Sequence, residues 1–101
     1  MNIFILISIS YDEKKDRIST KTVRGLYYDI QKAIDSIIEY PDSISEAGYF
    51  NYLLIEEREI NTLDASTINE FWFQFVNMGA DELLVEAIAK PLPFLSFSNF
   101  V

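Results

Sequence analysis

Ile3-Phe4-Ile5-Leu6-Ile7-Ser8-Ile9 holds six apolar residues in seven, four of them isoleucine. So nearly continuous a run of apolar side chains cannot put one face in a core and the other in water. It predicts a strand inside a sheet, covered on both faces. The run is far short of the roughly 18 apolar residues that a membrane span needs. It also lacks the basic leading region and small-residue cleavage site of a signal peptide, and Ser8, Ser10 and Asp12 interrupt it, so the expected location is the cytoplasm.

Outward from that strand, the residues alternate between sheet and helix signals. Tyr11 to Arg17 is charged almost throughout and predicts a solvated hairpin loop. Ser19 to Leu26 is rich in Thr and Val and predicts a returning antiparallel strand, with Gly25 marking a bulge or a close backbone approach. Over 29–39, Ile30, Ala33, Ile34, Ile37 and Ile38 recur at helical spacing, Asp29 stands as N-cap and Pro41 as stop. Asp42 to Gly48 suggests a further helical turn before the chain reverses.

The second half has a third strand over Tyr49 to Glu59, aromatic and β-branched with an acidic end. Phe71, Phe73 and Phe75 fall at period two, which argues for a strand over 69–75 with Trp72 on its opposite face. Asp81 to Ala89 fits helix by Leu84, Ala87 and Ile88 and strand by Leu83, Val85 and Ala87, so its periodicity leaves both open. Pro91 and Pro93 forbid a regular central strand and suggest an extended aromatic tail over 91–101. The expected fold is α+β: one domain over 1–101, an antiparallel sheet of four or five strands and one main helix on a face, with Ile30, Ile34, Ile37 and Ile38 turned inward.

Composition narrows the chemistry. The 101 residues contain no cysteine and no histidine, which removes disulfides, thiolate and Ser/His/Asp nucleophile systems, and the usual ligands for zinc, copper and non-haem iron. Net charge is -8, and it is unevenly placed. Residues 1–35 carry six basic side chains against five acidic ones, for +1, and residues 36–101 carry two against eleven, for -9. Such a field repels nucleic acid and anionic membrane and favours encounter with a basic protein; it also serves plain solubility.

Carboxylates are the plentiful reactive groups that remain. Asp42 followed by Glu56-Glu57-Arg58 loosely resembles a metal-dependent nuclease arrangement, but such sites normally hold Lys where Arg58 stands, and no basic surface for a phosphate backbone is evident. The preferred expectation is a contact surface with no catalytic residue, metal or cofactor. Glu56, Glu57 and Glu59 at a strand end, with Asp81, Glu82 and Glu86 further on and Trp72 as an aromatic anchor, are the candidate partner-binding residues. Solvated charge and ordinary core are the alternatives for these residues, and core is the general account of Tyr49, Tyr52 and Trp72 in so aromatic a chain. Lys14, Lys15 and Arg17 could contact an acidic partner or form a plain mixed-charge loop.

Val23-Arg24-Gly25-Leu26-Tyr27 leading into a helix, then Tyr49-Phe50-Asn51-Tyr52-Leu53-Leu54-Ile55-Glu56-Glu57, then Phe71-Trp72-Phe73 and a closing Lys90-Pro91 form a pattern along most of the chain. The pattern resembles small bacterial immunity proteins encoded beside polymorphic or contact-dependent toxins. What the resemblance implies is a protein that binds and blocks a toxin domain, often a nuclease with a basic cleft. An acidic DNA mimic, phage-encoded or regulatory, is the alternative binding role.

Overall fold

A computed structural model describes residues 2–40, 44, 50–60, 67–77 and 83–91. Five strands and one helix follow in the order β1 (Asn2–Asp12), β2 (Arg17–Tyr27), α1 (Ile30–Glu39), β3 (Tyr52–Glu59), β4 (Thr67–Asn77) and β5 (Leu83–Ile88). They form one antiparallel sheet in the order β2-β1-β3-β4-β5, so the fold is α+β as expected. The apolar opening run is an interior strand between β2 and β3, and Ile5 to Ser10 are all buried.

Strand alternation divides the core in two. On the helix face, Leu6, Leu53 and Ile55 meet Ala33, Ile37 and Ile44, with Phe71, Phe73, Phe75 and Val85 packed around them. On the other face Ile5, Ile7, Ile9 and Leu54 surround Trp72. The three phenylalanines and Trp72 therefore fall on opposite faces, as period two requires. The segment whose periodicity fitted both helix and strand resolves as β5, an edge strand that pairs with β4 from Asn77↔Leu83 to Trp72↔Ile88 and stops before Pro91.

Local chemistry sets the element ends. Asp12 Oδ1 accepts from the backbone N–H of Lys14 at 3.0 Å and of Lys15 at 3.3 Å, and Asp16 takes a left-handed φ of 50°, which closes the charged hairpin loop. Asp29 caps α1 by accepting from Gln31 N–H at 2.8 Å. Asn51 prolongs the pairing of β3 with β1 through its side chain, accepting from Tyr11 N–H at 2.9 Å and donating to Tyr11 C=O at 3.2 Å.

One expectation for the helix is corrected. Ala33 and Ile37 are buried and Ile30 and Ile34 half-buried, but Ile38 is 69% exposed. A ten-residue helix on a sheet hides a narrow stripe, and Ile38 lies 100° round the axis from Ile37, beyond its edge. Pro41, the proposed helical turn at 42–48 apart from the helical residue Ile44, Tyr49 and the tail from 92 onward lie outside the described residues.

Candidate functional site

Among the described residues, the acidic candidates do not assemble into one patch. Glu56 and Glu57 are consecutive in β3 and so project to opposite faces. Glu56 is 0% exposed: Arg58 Nη2 donates to Oε2 at 3.1 Å, and Thr67 Oγ1 donates to Oε1 at 3.3 Å. The expectation that Glu56 meets a partner is therefore corrected, because it serves as the internal counter-charge of Arg58. Glu57 is half-buried and accepts from Asn2 Nδ2 at 2.6 Å and Asn69 Nδ2 at 2.9 Å. Glu59 is exposed at the end of β3.

Glu86 is exposed on β5, opposite Gln74, which in turn pairs with Tyr52 at the other end of β3 from Glu57 and Glu59. Five residues of strand separate Tyr52 from Glu57, roughly 17 Å at the usual rise. Trp72 is buried and belongs to the core, where its Nε1–H donates to Glu70 Oε1 at 3.1 Å beside the Glu70–Lys90 ion pair. That is a correction too: the ring is not a surface anchor. Asp81 and Glu82 lie outside the described residues, as does Asp42.

In the nuclease-like spacing Glu57 is the spacer, and the Glu56 that would hold an ion is buried against Arg58. Among the described residues no group of three or more His, Cys, Asp or Glu side chains is placed to hold a metal. Nor, among them, is any helix long and apolar enough to cross a membrane.

Two features that the acidic pattern did not announce stand out instead. The first is edge strand β2, where Val23 is 51% and Leu26 61% exposed, followed by Tyr28 at 73%. Val23 and Leu26 pair with buried Ile7 and Ile5, so they continue the apolar sheet face opposite α1 out to its rim.

The second is a pocket of about 290 Å³ between β2 and α1, lined by Leu6, Arg24, Tyr27, Ser36, Tyr40 and Ile44. Three residues apart on a regular strand, Arg24 and Tyr27 would point to opposite faces. The ladder, however, runs Leu6↔Gly25 and then Ile7↔Val23, which leaves Arg24 as the extra residue of a bulge and brings both side chains to the helix face. Gly25 completes the arrangement. A Cβ there would lie 2.8 Å from Tyr27 Cε2 and Oη, so the missing side chain is the space that the Tyr27 ring occupies.

Contacts fix the pocket wall. Arg24 Nε–H donates to Ser8 Oγ at 2.9 Å, the guanidinium lies 4.7 Å from the centroid of the Phe50 ring, and buried Ser8 donates onward to Ile44 C=O at 3.1 Å. Tyr27 Oη–H donates to Ser36 Oγ at 3.0 Å. At the rim, Glu39 accepts from the Tyr40 phenol, which raises the pKa of that phenol above its ordinary value. Comparison of the chain with protein-family models, with curated proteins and with solved structures finds no match.

Proposed function

We propose that the chain is an immunity protein, which neutralises a bacterial toxin in the cytoplasm by binding it and not by catalysis. The observation that carries the reading is the exposed apolar row of Val23, Leu26 and Tyr28 on and beside the open edge of the sheet. Large apolar side chains left in water at a sheet edge are a liability that a binding partner would relieve. The sequence pattern supports the toxin class of partner, and the -9 of residues 36–101 supports a basic one, drawn in by the summed field, which needs no single patch.

Co-expression with the toxin domain encoded directly beside its gene tests this. The account expects cells to survive, and expects the association rate to fall steeply as salt rises, because exposed charges are screened beyond about 8 Å at physiological ionic strength. Reversing exposed Glu59 and Glu86 to Lys slows association further, whereas reversing Lys14 and Lys15 to Glu does not. A rate indifferent to both salt and charge reversal removes the basic partner. Cell death despite folded protein removes neutralisation of that toxin.

A further inference from the structure

We propose that the sheet face opposite α1 is a docking surface for the chain's own segment 92–101, which crosses it as a strap and closes the second core. On that face Ile7, Ile9 and Leu54 are fully buried and Ile5 and Trp72 nearly so, and buried Glu56 follows on beside Ile5 with its partner Arg58. A sheet face open to water would leave its middle residues exposed. Among the described residues, however, only strand side chains and Lys90 border this face, because α1 and Ile44 pack on the other. The burial is that of one chain alone, so the cover belongs to this chain.

Composition selects the segment. Residues 61–66 and 78–82 join neighbouring strands and hold one large apolar side chain each, Leu63 and Met78, while 41–49 sends Ile44 into the helix-face core. Residues 92–101 hold six, Leu92, Phe94, Leu95, Phe97, Phe100 and Val101, and no charge. An uncharged segment suits a face whose buried charges, Glu56 and Arg58, already pair. The path leads there too. Ile88 packs against this core, and two residues on Lys90 Nζ lies 3.1 Å from Glu70 Oε1 and 6.0 Å from the centroid of the Trp72 ring, so the chain meets this face as it reaches Pro91. Pro91 and Pro93 have no N–H for a strand ladder, which favours leaving the sheet edge for its face. From β5 to β1 is three strand spacings, about 14 Å, and ten extended residues reach about 33 Å. Val23 and Leu26 lie on the same face one strand further out and are exposed, so the strap stops short of them. That makes the second face core and leaves the β2 rim for a partner.

Trp72 is the single tryptophan of the chain, so its fluorescence reports on the strap. In the whole chain, Phe94→Ser, Phe97→Ser and Phe100→Ser together should shift Trp72 emission to the red and raise its quenching by acrylamide, while far-ultraviolet circular dichroism holds. If that variant fails to fold, nuclear Overhauser contacts in the unmodified protein decide, read from a mixture of labelled and unlabelled chains. They should join the rings of Phe94, Phe97 and Phe100 to the methyl groups of Ile7, Ile9 and Leu54 within one chain. Unchanged emission and quenching in the folded variant overturns the proposal. So do contacts of those methyl groups with residues 61–66 or 78–82 in place of the tail, or contacts only between chains, which would make the occupant a second copy.

Discussion

Glu56 shows how much one side chain's position matters. Its carboxylate lies on the sheet face opposite Glu57, fully inside, with Arg58 two residues on and on the same face. Removing one partner of a buried pair takes away part of what compensates the other charge inside the protein. Glu56→Gln should therefore destabilise the fold by about 3–5 kcal/mol in urea unfolding, the range for breaking a buried pair. A loss below about 1 kcal/mol would place the pair in contact with water. At the hairpin, the half-buried Tyr11 donates its phenol O–H to Asp16, and that bond, followed by burial and the charges of Asp16 and Glu13, pushes its pKa up to about 12. The folded pKa is raised above the ordinary 10.0, so the bond's contribution is fully present below pH 10.0 and is lost as pH rises through about 12. Ultraviolet titration should assign one late-ionising tyrosine to Tyr11, and Asp16→Asn should bring it back towards its ordinary value. A late titration unchanged by that substitution contradicts the assignment.

At the scale of elements, α1 offers a paired test. Ile37 and Ile38 are chemically identical neighbours, but Ile37 is buried against Leu6, Leu53 and Ile55 and Ile38 is mostly in water. Ile37→Ala should cost about 2–5 kcal/mol, whereas Ile38→Ala should stay within about 0.5 kcal/mol. Equal effects on thermal unfolding would mean that the helix is rotated from the position described. The same pair marks the limit of sequence reading. The apolar run of β1, the Phe71-Phe73-Phe75 alternation and the Asp29 cap are local patterns, so they were legible. How wide a stripe the sheet would cover is a tertiary property, and so is the choice of strand for 83–88, which the pairing with β4 decides. The site was legible only in fragments. Gly25 announced a bulge or close approach, but the meeting of Arg24 and Tyr27 with Ser36 and Tyr40 depends on where α1 crosses β2. The acidic run does not reveal its own geometry, because a strand sends alternate carboxylates to opposite faces.

Over the whole molecule, the basic side chains and the net negative charge fall in different parts of the chain. Arg17, Lys21 and Arg24 lie on β2, beside the loop that carries Lys14 and Lys15, and the net negative charge lies in residues 36–101. The exposed Val23 and Leu26 share the basic edge strand. On the proposed reading, long-range attraction of a basic partner and short-range contact along β2 are different jobs for different surfaces. The first sets the rate of encounter, and the second sets how long the complex lasts. The central claim, that the chain acts by holding a partner against its β2 edge, is tested most directly by measuring the affinity of the Val23→Asp, Leu26→Asp variant for the neighbouring toxin domain. Both side chains are exposed in the free protein, so the melting temperature should hold. The account predicts at least about 100-fold weaker binding, the equivalent of about 2.7 kcal/mol, mostly through faster dissociation, and loss of protection in cells. An unchanged dissociation constant with full protection would contradict it.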